Sequence, residues 1–548
     1  MNFLQNIFEG LAGAPGRLLL EEMRPESRVS VTAGELLEHV ASARAFLAAA
    51  GLRKGDRCAL LAANSIRWVA LDLAAMADGI IVVPLYARQA PAELAAMIRD
   101  AQPAMVCCGD ADLQRNLLAA WPGGAPRTVL LEEVFAPGLR GAGVPTDPVP
   151  LADSDPVTII YTSGTSGESK GVVLSIGNVT YMLSCTTARL ELLMGKRAEA
   201  DRVFHYLPFC FAGSWILLLS SLLRLSELRL STDLTRLADD LRAAAPEYCL
   251  NVPQLLERMR AAVEAQIANK GGFANAIFTK AKAASLGSTN GTRGGVSLLL
   301  AEKLIFPAIR KKLGPNLKAL ICGSAPLAVE TQRFFQMLGI PVLQVYGLTE
   351  TTAICTMDDP RRVEAGAVGP PIPGLEMKLG DQNEILVRGP NIFLGYWNRS
   401  QETAKTLSNG WFHTGDQGER TPNGNWRIVG RLKNLLVLSS GHNIAPEPLE
   451  DRLVHEIPGA QQVVLFGNGR GFLTAVVTGG VARDKVQTAL AKLNSGLPHY
   501  RQIRAFHIEP QPLTVESGLL TANGKLRRDA IGAHFGGVIE SMYSKNPT

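Results

Sequence analysis

The segment YTSGTSGESKG, residues 161–171, places three glycines, five Ser/Thr hydroxyls and one lysine within eleven residues. Glycines let successive backbone N–H groups turn toward an anion, hydroxyls donate further hydrogen bonds, and Lys170 neutralises charge. That is the chemistry of a polyphosphate cradle. It is not the Walker loop, because Ser169 stands where G-x-x-x-x-G-K-[ST] requires glycine and Gly171 where it requires a hydroxyl. A flexible Gly/Ser linker is the competing interpretation. The β-branched run before the segment and the KGVVL after it argue against that.

Three further segments carry weaker signals. VYGLTET (345–351) sets Glu350 just beyond a strand and beside Thr349, a placement that suits Mg²⁺, which takes few protein ligands and completes its shell with phosphate oxygens. The same residues also suit a plain strand-to-helix turn capped by Thr349. WFHTGD (411–416), followed by Gly430-Arg431, puts Asp416 after a glycine, where a carboxylate can accept both hydroxyls of a ribose or simply close a turn. TANGKLRR (521–528) carries Lys525 on a glycine turn, as a mobile cation or as part of a solvated basic tail.

Alternating patterns predict the elements that must position these residues. Helices are expected at 33–50, 68–78 and 91–100, with Pro91 at a first helical position, and strands at 57–62, 79–84 and 105–108. The rhythm recurs as strand 157–161, helix 234–245, strand 320–322, helix 329–338 and strand 342–346. Strands alternating with helices of ten or more residues predict helix-covered, mostly parallel sheets. Residues 265–295 read as a helix followed by a mobile loop rich in Gly, Asn, Ser and Lys. From Glu384 the strands shorten, and beyond Arg431 come a helix at 448–455, strands at 462–467 and 472–477, a helix at 484–493 and a basic tail. A boundary near Lys433 divides the chain into domains of 1–432 and 433–548.

Composition sets outer limits. The 548 residues are about twice the size at which one core stops growing, and 47% apolar with 19% charged residues excludes long disordered stretches. A net charge of +5 from 55 basic and 50 acidic residues gives no case for nucleic acid. Eight cysteines without a CxxC read as buried thiols of a cytosolic protein, not as a zinc site or disulfide frame. The N-terminus is a poor secretory signal, and the longest apolar stretch, Trp215 to Leu223, is about half of a membrane span. A soluble, cytoplasmic protein is expected, with contact to a membrane surface left open.

The segments YTSGTSGESKGV, GSAP (323–326), VYGLTE, WFHTGD, GRLKN (430–434), SSGHNIAPEPLE (439–450) and TANGKLRR, in this order, resemble the adenylate-forming superfamily of acyl-CoA synthetases, luciferases and peptide-synthetase adenylation domains. With PLYARQAPAEL near the N-terminus they span nearly the whole chain, and the long-chain fatty acyl-CoA synthetases are the most similar subgroup. The resemblance implies an α/β fold: a large N-terminal domain of mostly parallel sheets plus a distorted barrel, and a small mobile α+β C-terminal domain. It implies that Thr162, Ser163, Gly164, Thr165, Ser166, Gly167 and Lys170 hold ATP phosphates. Gly323, Ser324, Ala325, Pro326, Val345, Tyr346 and Gly347 would sandwich adenine. Glu350, with Thr165, would hold Mg²⁺, and Thr349 would contact the α-phosphate. Asp416 and Arg431 match the ribose ligands and Ile428 the nucleotide pocket, while Lys525 matches the lysine of adenylation. Lys433 falls at the hinge of domain rotation, after which Gly441 would line a pantetheine tunnel.

Phe209, Phe211, Gly213 and Trp215 occupy the place where relatives line the acyl pocket, which favours an aliphatic tail, with Trp215 as the tunnel gate. The implied reaction is activation of a medium- or long-chain fatty acid to an acyl adenylate, then transfer to CoA. The chain departs from the pattern at Phe211, where relatives often have His, at Asn434 in place of an acid, and at Asn523 in place of Ser/Thr. An acyl-AMP ligase loading a carrier protein, a lactone-forming or aryl-acid relative, and a nucleotide-binding pseudoenzyme are the alternatives. A second copy of the chain is a further partner left open.

Overall fold

The computed structural model describes residues 1–121, 123–124, 126–136, 147–163, 169–195, 199–287, 296–521 and 524–544. Short Val/Ile/Leu runs bounded by turns form two large sheets, as expected of strands buried on both faces. In the first, six parallel strands lie in the order Val342–Tyr346, Ala319–Cys322, Tyr248–Asn251, Arg202–His205, Glu227–Ser231 and Leu18–Met23, with an antiparallel strand at each edge. The second runs Gly395–Tyr396, Ser169–Ser175, Pro156–Ser163, Ile81–Leu85, Arg57–Leu61, Met105–Cys108 and Thr128–Leu130. Its last five strands are parallel, and Ser169–Ser175 returns antiparallel to Pro156–Ser163.

One hydrophobic core joins the facing sides of both sheets to the helices Phe3–Gly13, Ala33–Ala49, Ile66–Ala77, Ile176–Met194 and Ala212–Leu223. Separate clusters cover the outer face of each sheet. The layers therefore run helix, sheet, helix, sheet, helix. Being enclosed between two sheets explains why Ile66–Ala77 is buried almost all round rather than along one stripe.

Glu376–Leu379, Glu384–Arg388, Trp411–Arg420, Leu407–Ser408 and Trp426–Arg431 make a five-stranded antiparallel sheet in the place expected for the barrel. Beyond it, Gln462–Phe466, Leu473–Thr478 and Ile503–Glu509 form a three-stranded sheet with cores of its own. The chain is thus an α/β protein with a large N-terminal and a small C-terminal domain. Among the described residues no helix is long and apolar enough to cross a membrane, and all eight cysteines are buried and unpaired.

Three expectations are corrected. The single helix predicted from residue 265 is two, Pro253–Lys270 and Gly272–Gly287, broken at Gly271 and Gly272, which both adopt positive φ; the loop expected at 288–295 lies outside the described residues. The basic tail instead holds the strand Ile503–Glu509 and the helices Arg528–His534 and Gly536–Ser544. Trp215 is no tunnel gate. It is 1% exposed and turns into the core, where its Nε1 donates to Asp72 Oδ2 at 2.8 Å. An indole N–H on a buried helix must find an acceptor, and the neighbouring helix Ile66–Ala77 supplies one.

Burial pushes the Asp72 carboxyl up to about 7, while the Trp215 hydrogen bond pulls against it. A raised carboxyl contributes stability in full below the ordinary carboxylate range and loses it as pH rises through about 7. Asp72→Asn keeps the acceptor and removes the titration. Urea unfolding should therefore show the variant gaining about 1–4 kcal/mol on wild type between about pH 5 and pH 8. Parallel pH profiles for the two proteins would contradict this.

Candidate active site in the interdomain cleft

The strand Val342–Tyr346 ends at Gly347, and the chain then folds back so tightly that a Cβ there would lie 2.2 Å from the Ala353 carbonyl oxygen. Asn391, fully buried, clamps this loop by donating to Thr351 O at 3.0 Å and Ile354 O at 2.9 Å. The result fixes a single 3₁₀ turn, Thr349–Thr351. Thr349 does not cap it; the turn opens at Leu348, whose N–H donates to Thr351 Oγ1 at 2.9 Å. Glu350 accepts from the Tyr396 hydroxyl at 2.8 Å, which leaves its second oxygen available to the cleft.

Asp416 follows Gly415, which has a φ of 68°, and is buried. It accepts from the Tyr346 hydroxyl at 2.9 Å and pairs with Arg431 Nε at 2.8 Å. Burial and the Asp416 charge hold the Tyr346 phenol well above its ordinary range. Ser324, Ala325 and Pro326 line the same cleft, with Ser324 at a positive φ of 74°, and Gly323 packs against Val345. Ile428 lines it too. Thr162 and Lys170 pair across the two antiparallel strands that flank the glycine-rich segment. Lys170 is held by Glu402 and lies 5.2 Å from the Tyr396 ring centre. Gly164, Thr165, Ser166, Gly167 and the side chain of Ser163 lie outside the described residues.

Lys525 comes from the small domain and enters the cleft beside Arg431, Asp416, Lys433 and Glu350. Its side chain is exposed to the water of the cleft, with protein from both domains around it. That crowding, with Arg431 adding repulsion, holds its ammonium down to about 8. Lys433, on the 3₁₀ turn Leu432–Asn434, is lowered for the same two reasons. Three cations therefore converge here, with Asp416 and Glu350 acting on Lys525 and Asp416, Asp529 and Glu447 on Lys433, and the clustered donors suit a polyanion. Gly441 is not brought in. It sits exposed on the turn at 438–442, away from the cleft.

The cleft, about 2650 Å³ in all, continues from this cationic mouth between the first sheet and two helices. Gly213, Ile216, Leu217 and Ser220 face it from Ala212–Leu223, and Thr186, Leu190 and Leu193 from Ile176–Met194. Both sets follow the i, i+3, i+4, i+7 spacing of one helix face. Phe209 and Phe211 also line it, Phe211 with its ring 5.6 Å from Tyr86. Sequence reasoning missed Tyr396, Glu402 and Asn391. They stand in or beside GPNIFLGYW, which has no periodicity or motif of its own, and only the fold sets them against Glu350 and Lys170.

Residues 10–397 match the family described as AMP-binding enzyme, and residues 433–547 match the AMP-binding enzyme C-terminal domain. The chain belongs to this AMP-binding enzyme family. A long-chain-fatty-acid–CoA ligase of Mycobacterium bovis is 28% identical over 99% of this chain and 97% of its own length. Long chain acyl-CoA synthetase 3 of Arabidopsis thaliana is 26% identical over 90% of this chain and 84% of its own. Among solved structures, the adenylation domain of a carboxylate reductase from Mycobacterium chelonae has a TM-score of 0.77 at 22% identity, covering 99% of this chain and 91% of that one. O-succinylbenzoate coenzyme A synthetase from Bacillus subtilis in complex with AMP has a TM-score of 0.74 at 20% identity, covering 96% and 97%. The fold is that of adenylate-forming enzymes.

Two ion pairs hold the small domain over the cleft, Arg527 Nη2 to Glu93 Oε1 at 2.7 Å and His455 Nε2 to Glu257 Oε1 at 2.9 Å. The Glu257 hydrogen bond raises the imidazole, with Asp451 and Arg260 as the other charged groups facing this contact. The tether is complete below the ordinary histidine range and weakens as pH rises through the raised value. Pairs this exposed are worth about 0–1 kcal/mol each. The double variant Glu93→Gln, Glu257→Gln should therefore populate open forms several-fold more, read as faster tryptic cleavage after Arg431 and Lys433. Unchanged cleavage would mean that the ion pairs do not hold the domain.

Proposed function

We propose that the chain is a fatty acyl-CoA synthetase, an acid–thiol ligase that activates a medium- or long-chain fatty acid with ATP and transfers the acyl group to CoA. The observation that carries this is the junction of a cationic cleft, where Lys525 meets Asp416, Arg431 and Glu350, with an apolar chamber walled by two helices. The names of its relatives support the same substrates.

A carboxylate is a poor electrophile, so it first acts as a nucleophile. One of its oxygens attacks the α-phosphorus of ATP, the bond to the pyrophosphate oxygen breaks, and a mixed anhydride forms. Negative charge meets negative charge in this step, and Lys525, Lys170, Thr349 and the donors of residues 162–167 offset it. Asp416 and Arg431 hold the ribose, and the 323–326 turn with Val345 to Gly347 holds the base. Glu350 would hold a Mg²⁺ ion, whose charge would offset that of the phosphates; a single carboxylate oriented by Tyr396 fits an ion that takes few protein ligands. In the second step the thiolate attacks the acyl carbon and AMP leaves.

Lys525 fills the cleft while Gly441 lies outside it, so the thiol path requires the small domain to turn about Lys433, with the domains divided at 432/433. A cytoplasmic location is supported by the eight unpaired, buried thiols. Transfer to a carrier-protein pantetheine is the second outcome, favoured if adenylate accumulates with CoA present.

Lys525→Ala should lower pyrophosphate release on the order of 10²–10³-fold yet leave thioester formation from supplied acyl adenylate largely intact. Equal loss in both steps would refute the division of roles. Since the ammonium is held near 8, kcat/KM for ATP should fall as pH rises through about 8. Arg431→Gln removes a repulsion and should move that fall to higher pH; a fall at unchanged pH would assign it to another group.

A Cβ on Gly213 meets nothing within 4 Å. Gly213→Leu should therefore keep or raise thermal stability while cutting kcat/KM for long-chain acids about tenfold or more relative to short ones. An unchanged chain-length profile would place the acyl group elsewhere.

A further inference from the structure

The helices Gly272–Gly287, Val296–Leu304 and Phe306–Leu313 cover the outer face of the first sheet through Ile277, Phe278, Ala281, Ala301, Phe306 and Ile309. The outward side of Val296–Leu304 is as apolar as the inward one. Leu299 and Leu304 are 61% and 64% exposed, and Leu300 is exposed too. At about 100° per residue, Leu299, Lys303, Leu300 and Leu304 share one arc of about 140°, opposite the buried Ala301. A helix apolar all round is ordinarily enclosed by protein, whereas half of this one faces water. Phe273, at the start of the helix packed beside it, is 73% exposed.

Charge gathers on the same three helices. They carry Lys280, Lys282, Lys303, Arg310, Lys311 and Lys312 against one carboxylate, Glu302, a balance of +5 that equals the net charge of the whole chain. Glu264 engages Lys282 at 2.7 Å, and Glu302 lies 3.9 Å from Arg310. Among the described residues no carboxylate engages Lys280, Lys303, Lys311 or Lys312, and all four are exposed.

We propose that this face docks on an anionic lipid bilayer. Exposed leucines enter the boundary between headgroups and acyl chains, while lysines beside and beyond them reach back to the phosphates. No helix among the described residues can cross a bilayer, so the contact is with its surface. A second copy of the chain would bring like charge onto the same face, whereas an anionic bilayer supplies both the apolar medium and the counter-charge. The inference does not depend on the reaction proposed above.

The test mixes the full-length protein with vesicles of phosphatidylcholine, alone or with about one-third phosphatidylserine, and reads the bound fraction by flotation. Wild type should bind the anionic vesicles about tenfold or more tightly than the neutral ones, and less tightly as salt rises. Leu299→Ser with Leu304→Ser, and separately Lys311→Gln with Lys312→Gln, should each weaken that binding about tenfold or more. All four residues are exposed and outside the cleft, so thermal unfolding and pyrophosphate release in vesicle-free buffer should match wild type. Leu304→Cys carrying an environment-sensitive fluorophore should shift to the blue on the anionic vesicles, since the eight native thiols are buried and do not compete for label. No binding, equal binding to neutral vesicles, full binding by either double variant or an unshifted fluorophore overturns the proposal. So does a wild-type dimer that the leucine variant loses, which assigns the face to a second copy. Pyrophosphate release absent with every acid would count against the proposed reaction and leave this surface standing.

Discussion

Close approach of several cations inside the interdomain cleft is the condition on which the rest of the site depends. Lys525, Lys433 and Arg431 converge there, Asp416 is already engaged by Arg431 and Tyr346, and Glu350 by Tyr396. Without an anionic ligand, closure of the small domain works first against the burial of Lys525 and then against its repulsion by Arg431, and both show as its depressed ammonium. The contacts that oppose it, Arg527–Glu93 and His455–Glu257, are partly exposed and individually weak. A triphosphate supplies the missing counter-charge and so favours the closed arrangement by its own binding. Departure of pyrophosphate removes most of that charge, and closure then loses its largest support before the thiol must enter. Under the proposed chemistry, the order of the two half-reactions is thus linked to domain position by electrostatics alone.

Much of this arrangement was legible in the sequence, and the reason is physical. A glycine-rich loop, a carboxylate after a strand and a lysine on a glycine turn are local solutions to binding phosphate, so their signals sit within a few consecutive residues. The parallel sheets were legible through Val/Ile/Leu runs alternating with helices, and strand Met105–Cys108 falls where the pattern places it. The antiparallel sheet from Glu376 onward was legible only as a shortening of strands. Its pairing depends on contacts tens of residues apart, such as Glu384 with Gln417.

What escaped reading was whatever depends on orientation. Trp215 and Gly213 are two residues apart on one helix, about 200° around its axis at 3.6 residues per turn, and one faces the core while the other faces the cavity. Composition shows an aromatic-rich segment but not which face meets which neighbour. That is decided by Asp72, distant in sequence, whose buried carboxyl captures the indole. Gly441 illustrates the converse case: a recognisable motif that lies exposed outside the cleft and would serve only under the proposed rotation of the small domain.

The junction between the cleft and the chamber then determines which end of a substrate reacts. An ionised carboxyl is strongly disfavoured among Leu190, Ile216 and Leu217 and favoured beside Lys525, whereas a hydrocarbon tail has the opposite preference. Partition between these two environments orients the acid before any specific hydrogen bond forms. Selectivity among acids that all satisfy this requirement must arise further in, where the walls cease to be uniform. Gly213 leaves room on the helix face that meets the cavity, and the Thr186–Ser220 pair interrupts the apolar lining further along the same face. The cationic mouth is thus shared chemistry for any carboxylate, and under the proposed function discrimination among tails falls to the walls formed by the two helices.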